Sequence, residues 1–361
     1  MRILYIGDDH AGSTSNHRFN ALRRLGHEVT VENPLQSVPS KIKTKLWNAV
    51  NFRTGYRLLQ PYVSQWIKKT VKTVEKPDFI WIDSGELLGK SSIKALKSLG
   101  SPIILYNVDD PTGKRDGHRF DLLVKSLLLY DLIVVVRKES EFECLALGAK
   151  NVLKVNRSYD EVAHAPFEDI NTIPSEFRSE VAFIGTWMRK EKRDEFMLRL
   201  IDEGVPLSIW GDSWHKSKYF PRLKQYLKGP GLIGRDYTAA IQGSKICLGL
   251  LSAGNRDLHT QRSFEVPFAG GLFCAQRTSE HIDLYQENVE AVFWADADEC
   301  AKVCKDLLAN DSKRESIRTN GMQKVRSMHA GNEDLGRIII HEVEKLVKSK
   351  EDLSIQSSVI F

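Results

Sequence analysis

Two α/β domains, each a doubly wound parallel sheet and the pair facing across a cleft, are what this sequence predicts, and three observations carry the expectation. Short apolar runs of strand length, among them "RILYIG", "PIILYN", "DLIVVV" and "KICLGLL", alternate with amphipathic helical stretches for nearly the whole chain. The runs are apolar at consecutive positions, the mark of strands covered on both faces. The series also starts twice, at the amino terminus and again at "EVAFIGTW", and 361 residues is the length of two ordinary domains.

In order, "RILYIG" reads as the first strand, followed by a glycine loop, a helix over "NHRFNALRRLGHEV" ending at Gly26, and the strand "EVTVEN". Then come "PDFIWIDS", a helix over "GKSSIKALKSLG", the strand "PIILYNVDD", a helix near "RFDLLVKSLLLY" and the strand "DLIVVV". From about Asn156 to Ser179 the pattern lapses, and Pro166 and Pro174 mark a linker. The second series runs through "EVAFIGTW", a charged helix to Glu203, "PLSIWGDSW", "KICLGLL", a helix opening at Thr260, "GLFCA", "AVFWAD" and two helices from Asp298 onward. The amphipathic "EDLGRIIIHEVEKLVKS" and a polar tail close the chain. The expected division is a first domain over 1–165, a linker over 166–178, a second domain over 179–335, and a terminal helix with tail over 336–361.

A composition of 42% hydrophobic and 27% charged residues is that of a globular protein. No apolar run approaches the ~18 residues of a membrane span, and "MRILYIGDDHAG" turns polar where a secretory leader stays apolar, so a cytoplasmic location is expected. The five cysteines (Cys144, Cys247, Cys274, Cys300, Cys304) have neither disulfide-framework nor zinc-site spacing and read as reduced, buried thiols. The net charge of +5 is uneven: between Lys41 and Lys76 lie nine basic residues against Glu75 alone, which leaves the remainder at −3. Trp47, Phe52, Tyr56, Tyr62 and Trp66 interleave with those charges. That composition suits an anionic lipid surface, an acidic acceptor or nucleic acid, and equally a solvated helical pair with its aromatics turned inward.

The stretch "TQRSFEVPFAGGLFCA" bears most on chemistry. With Thr260 as helix cap, the amides of Gln261, Arg262 and Ser263 point at an anion, and Arg262 adds a forked cation suited to phosphate oxygens. Glu265, one turn on, offers an acceptor for the two hydroxyls of a ribose, and Gly270 and Gly271 allow close backbone approach. The same residues also fit an exposed Arg–Glu pair on a surface helix with a glycine cap, and Pro267 interrupts the helix. In the first domain, Gly7, His10 and Gly12 fall in the loop after the first strand. "NVDDPTGKRDGH" places Asp109 and Asp110 at a sheet's carboxyl end, poised to activate an acceptor hydroxyl or hold sugar hydroxyls, although Asp-Asp-Pro also opens turns. His118 is a looser candidate. "GDDHAGSTSNH" lacks the G-x-G-x-x-G spacing of dinucleotide oxidoreductases.

The Thr260 stretch resembles the donor-site helix of the group 1 glycosyltransferases of the GT-B fold, whose signature is an acid, seven residues, a glutamate and a glycine five residues later. Asp257, Glu265 and Gly270 match it, with Asp257 in place of a glutamate. The resemblance is closest to the spore-maturation CgeB-like branch, carried from about Val181 to Val325 by "VAFIGTWMRKEKRDEFMLRL", "LSIWGDSW", "YTAAIQGSKICLGLL" and "RSFEVPFAGGLFCA" in that order. The first domain resembles the family only through "RILYIG" and "LRRLGHEV".

The resemblance implies that 179–335 binds a nucleotide-sugar donor and 1–165 the acceptor. Gly185 ends the first strand of the donor domain, and Thr186 stands where the family has a diphosphate-clasping arginine, so the cation falls to Arg189, Lys192 or Arg193, with Arg193 favoured by the CgeB-like pattern. Gly211 would line the nucleotide pocket, and Gly234, Arg235 and Tyr237 the loop that reads the base. The implied reaction moves a sugar from a nucleotide-diphosphate sugar, with uridine the expected base, to an acceptor hydroxyl, retaining configuration, without metal or cofactor. The implied acceptor is a glycan, lipid-linked or otherwise anionic, with peripheral membrane contact through 41–76 and nucleic acid still open. An epimerase or hydrolase of nucleotide sugars on the same fold, and a non-catalytic binding module, are the alternatives.

Overall fold

The computed structural model describes residues 1–358 and divides into two compact units, residues 1–156 with the chain from Asn332 onward, and residues 157–331. In the first unit the strands are β1 (Arg2–Ile6), β2 (Glu28–Glu32), β3 (Phe79–Asp83), β4 (Ile103–Asn107), β5 (Leu132–Val135) and β6 (Val152–Lys154). Between them run α1 (Thr14–Arg24), α2 (Lys45–Arg53), α3 (Gln60–Thr73), α4 (Lys90–Lys97), α5 (Asp121–Ser126) and α6 (Lys138–Ala146). In the second unit β7 (Ser179–Ile184), α7 (Arg193–Asp202), β8 (Leu207–Trp210), α8 (Phe220–Leu223), β9 (Leu227–Gly229) and α9 (Gly234–Gln242) are followed by β10 (Ser244–Gly249), α10 (Arg262–Phe268), β11 (Phe273–Gln276), α11 (Ser279–Leu284), β12 (Val292–Trp294), α12 (Ala297–Leu308) and α13 (Asp311–Ser327). The chain then returns to the first unit as α14 (Asn332–Ser358).

Each sheet is parallel and six-stranded, in the order β2-β1-β3-β4-β5-β6 and β12-β11-β10-β7-β8-β9. Alternation along β1 explains the layering. Leu4 and Ile6 point into a core with Val63, Ile67, Ile93, Leu96 and Leu123 of α3, α4 and α5, whereas Ile3 and Tyr5 meet Phe19 and Leu22 of α1 and Leu335, Ile339 and Val343 of α14. In the second sheet Val181 and Phe183 pack with Met197, Leu200, Cys300 and Cys304 of α7 and α12, while Ala182 and Ile184 pack with Ala240, Ile241 and Val266 of α9 and α10. Both orders reverse at one place, between β1 and β3 and between β7 and β10, and the crevice beyond the carboxyl ends of such strands is where open α/β sheets hold ligands.

The structure departs from the expected boundaries in four places. The units divide between Asn156 and Arg157, and the irregular segment expected as a linker packs on α9 within the second unit. Its backbone groups are satisfied by side chains: Thr238 donates to the Ala163 carbonyl at 2.9 Å, and Gln242 both accepts from the Phe167 amide and donates to its carbonyl. "LIGRDY" is the entry to helix α9, not a loop. The helix expected from Thr260 begins at Arg262, because Thr260 is not the cap: Gln261 takes that position in helical conformation without a side-chain cap bond. Finally, the terminal helix starts at Asn332 and belongs to the first unit, and the part of the 336–361 segment beyond Ser358 lies outside the described residues.

Candidate functional site

In the second unit, α10 leaves the carboxyl end of β10 and brings Glu265 to a buried position, 6% exposed. The Tyr237 hydroxyl of α9 donates to Glu265 Oε2 at 2.6 Å. Burial, and then the Glu265 charge, push that phenol well above its ordinary range, so it remains a donor. On the other side His164 Nε2 lies 3.7 Å from Glu265 Oε1. The Asp160 amide donates to His164 Nδ1 at 2.9 Å, which puts the proton of the neutral ring on Nε2, facing the carboxylate. Oε2 therefore accepts from Tyr237, Oε1 has only the more distant His164 ring near it, and both oxygens keep lone pairs for a ligand hydroxyl.

The Arg262 side chain, one turn ahead of Glu265, has no hydrogen bond or ion pair with any described residue, and its Nε is buried without an acceptor. An unsatisfied buried donor costs about 1–3 kcal/mol. The neighbouring residues are engaged elsewhere. The Gln261 side chain donates to the Ser158 carbonyl, the Thr260 amide donates to Ser263 Oγ at 3.0 Å, and the Ser263 amide returns to the Thr260 carbonyl at 3.0 Å. Ser263 Oγ also bonds His281 Nε2 at 2.8 Å, and His281 Nδ1 donates to the Gln276 carbonyl at 2.7 Å. Burial pulls His281 from 6.5 down to about 4, so the ring braces this turn as a neutral imidazole. The Ser263 amide, expected to point at an anion, is thus already used.

Asp257 is buried and pairs with Arg157 at 3.0 Å. Gly270 closes α10 at φ +82°, a left-handed position that glycine takes without strain, with its amide returning to the Pro267 carbonyl. Arg193 opens α7 as a buried side chain whose Nη1 donates to the Thr186 carbonyl at 2.9 Å and whose Nη2 lies 3.5 Å from the Leu251 carbonyl. It ties the loop after β7 to the loop after β10, at the point where the strand order reverses. Arg189 is exposed in the preceding turn. Gly185 and Gly211 end β7 and β8 side by side, and a Cβ on Gly211 (φ +154°) would stand 2.1 Å from the Gly185 carbonyl oxygen. Gly234 begins α9 at φ +57°. Arg235 bonds the Ala165 carbonyl and stacks 4.0 Å over the Phe167 ring.

In the first unit a cavity of about 310 Å³ opens beyond the carboxyl ends of β1, β2, β3 and β4. Its wall includes a buried pair that the sequence did not single out: Arg18 of α1 forks onto Asp83 at the end of β3, Nε to Oδ2 at 2.6 Å and Nη2 to Oδ1 at 2.9 Å. The Tyr5 hydroxyl also donates to Asp83 at 2.6 Å. Gly7 and Asp109 line the cavity, and Asp109 pairs with Arg119 at 3.1 Å. Burial lowers Arg119, but Glu86 and Asp109 outweigh it and hold the guanidinium above its ordinary range. Asp110 is buried under its own turn, where Thr112 Oγ1 lies 3.4 Å from Oδ1 and the Gly113 amide reaches the Asp110 carbonyl, the turn-opening role that Asp-Asp-Pro also allowed. His118 is 69% exposed, pairs with Asp121 at 3.0 Å, and is not among the cavity-lining residues. His10 and Gly12 shape the loop before α1, with the Gly12 amide donating to His10 Nδ1 at 3.2 Å.

Among the described residues, Cys274, Cys300 and Cys304 form the one His/Cys/Asp/Glu group spaced for a metal, their sulfurs within 4.8 Å of one another. All three are fully buried in the apolar core beside α12, where a set of thiolates is costly to hold.

The residues that the sequence reading missed here are His164, Arg157, Arg18 and Asp83. His164 and Arg157 stand in the stretch read as a linker. Asp83 was visible as an acid at the carboxyl end of an apolar strand, the usual place for a site residue in this architecture.

Comparison with known proteins agrees with this architecture. Residues 189–338 match the family model described as glycosyl transferase-like. Among solved structures, sucrose-phosphate synthase from Thermosynechococcus elongatus superposes with a TM-score of 0.71 at 14% identity, covering 97% of this chain and 100% of that one. Anabaena HepE in complex with UDP and glucose gives 0.64 at 14% identity, covering 96% and 100%. The α,α-trehalose 6-phosphate synthase of Burkholderia multivorans gives 0.62 at 12% identity, covering 97% and 99%. No curated protein matches the sequence significantly. With residues 189–338 matching the glycosyl transferase-like family, the chain carries the fold of the GT-B glycosyltransferases.

Proposed function

We propose that this protein is a glycosyltransferase of the CgeB-like kind, transferring a sugar from UDP-sugar to an acceptor hydroxyl with retention of configuration and without a metal ion. The observation that carries the reading is the pairing of an unengaged Arg262 with a buried, pre-oriented Glu265 on one turn at the carboxyl edge of the second sheet. A cation without a partner beside a carboxylate with free lone pairs matches the two ends of a nucleoside diphosphate, phosphate on the arginine and ribose hydroxyls on the glutamate. The solved complexes of HepE with UDP and glucose and with UDP-glucose support the same class of donor.

In this reading Arg262 balances the charge that grows on the diphosphate as the glycosidic bond breaks, the task a metal performs elsewhere. Arg193 shapes the loops around the diphosphate. The donor phosphate itself receives the acceptor proton, and Asp109, held by Arg119, orients acceptor hydroxyls.

The test is UDP release from a panel of UDP-hexoses, with water as the minimal acceptor. The parent releases UDP from one of them at a rate unchanged by EDTA. Glu265→Ala lowers kcat/KM by roughly 10–100-fold, the worth of hydrogen bonds to a charged group. No release from any UDP-hexose, or full activity in Glu265→Ala, contradicts the proposal.

The proposal includes contact with an anionic lipid surface through 41–76. In α2 only Asn51 is buried, while Leu46 is 74% and Trp47 41% exposed among the exposed Lys41, Lys43, Lys45 and Arg53. Such a helix lies on a headgroup layer rather than across it, and no helix among the described residues is long and apolar enough to span a bilayer.

A further inference from the structure

The cavity of the first unit is built for a particular charge. Its wall carries four carboxylates, Asp8, Asp83, Glu86 and Asp109, against a single basic side chain, Arg18. Arg18 is 5% exposed and forked onto both oxygens of Asp83, so this cation is already matched. Arg119, outside the wall, divides one guanidinium between Glu86 at 3.0 Å and Asp109 at 3.1 Å, and also reaches Asp116 at 3.2 Å. Asp8 has no cationic partner among the described residues, and its Oδ1 accepts from the His10 amide at 3.0 Å. Four carboxylates against one basic side chain in the wall, that one already matched to Asp83, leave the cavity negative. The first turn of α1 favours an anion, and there Thr14 and Ser15 also line the wall, with Asp8 in the same wall and its carbonyl bonded by the cap residue Ser13 at 3.2 Å.

We infer that this cavity takes an uncharged or amine-bearing polyhydroxyl unit, a sugar or amino sugar, and rejects the same sugar carrying a phosphate. Carboxylates accept sugar hydroxyls through short charge-assisted bonds and attract an ammonium, whereas a phosphate dianion among them meets like charge with no unmatched cation to offset it. The inference rests on the transferase reading, in which the cavity holds the acceptor. It also moves the anionic partner expected from the basic segment out of the site: the Lys41–Lys76 surface meets negative charge, and the acceptor cavity excludes it.

The test is thermal stabilisation of the full-length protein saturated with UDP, titrated with glucosamine, glucose and glucose 6-phosphate at matched ionic strength. Glucosamine and glucose stabilise it, glucose 6-phosphate binds at least about tenfold more weakly, and Asp8→Asn or Glu86→Gln narrows that gap. Glucose 6-phosphate binding as well as glucose, no response to any of the three, or a gap that both variants leave unchanged overturns the inference. Stabilisation by UDP alone, recorded first on the same samples, reads out the donor site. Its absence faults the transferase reading, whereas UDP binding together with a phosphate preference faults only the charge selection assigned to the cavity.

Discussion

Glu265 and Asp83 are both buried carboxylates at the carboxyl edge of a sheet, yet they are held for different ends. Asp83 has both oxygens forked by Arg18 and a third bond from Tyr5, which leaves it a fixed structural charge. Removing one partner of such a pair strands the other, so Asp83→Ala should destabilise the first unit by about 3–5 kcal/mol in urea unfolding, and a loss under about 1 kcal/mol would show the pair to be dispensable. Glu265 accepts one hydrogen bond, from Tyr237, has His164 3.7 Å from its other oxygen and an unengaged arginine one turn ahead, the arrangement of a residue kept ready for a ligand. His281 supplies a pH signature. Its imidazole is neutral in the folded chain down to about pH 4, whereas an unfolded histidine takes a proton below about 6.5. The unfolded state therefore binds more protons between those values, and stability falls as the pH drops from 6.5 toward 4, by up to about 3 kcal/mol from this group. Urea midpoints measured across that window should fall for the parent and flatten in His281→Gln; identical slopes would remove His281 as the cause. The sequence showed Arg262, Glu265 and Gly270 because they sit within one helical turn and its cap. It hid His164 and Arg157, since nothing in a segment without periodicity announces that it folds onto a helix some seventy residues later.

At the level of elements, strands were legible and helix entries were not. A run such as "KICLGLL" is buried on both faces and has one interpretation, and it is β10 as expected. The cap of α10 falls one residue later than expected, at Gln261, while the Thr260 amide is taken by Ser263 Oγ, which also bonds His281 Nε2. The basic segment left two interpretations open, and the structure separates its helices. In α3, Val63 and Ile67 are buried in the core, whereas α2 buries no apolar residue. A short helix with no core to hold it and Leu46 and Trp47 turned outward is the element that should meet lipid. Sedimentation with vesicles should pull the protein down with phosphatidylglycerol and not with phosphatidylcholine alone. Replacing Lys41, Lys43 and Lys45 with glutamate should weaken binding about 100-fold or more, at about 1 kcal/mol for each lysine near the surface. Equal binding to neutral vesicles, or no change on charge reversal, would contradict the assignment.

For the whole molecule, the doubled αβ series was enough to predict two parallel sheets, because buried strands alternating with helices have few right-handed solutions. The return of α14 to the first unit was not legible: its apolar stripe of Leu335, Ile339 and Val343 shows that it must pack, but not that its partner is α1 at the other end of the chain. The basic segment 41–76 was legible as a run, but the acidic cavity of the same unit was not, because Asp8, Asp83 with Glu86, and Asp109 come together from three separate stretches of chain. The central claim is that Arg262 and Glu265 together form the seat of a nucleoside diphosphate. Calorimetric titration of UDP into the parent protein, Arg262→Ala and Glu265→Ala tests it most directly. The account predicts one UDP bound per chain by the parent and affinity lowered about tenfold or more in each variant. Absence of UDP binding by the parent, or unchanged affinity in both variants, would contradict it.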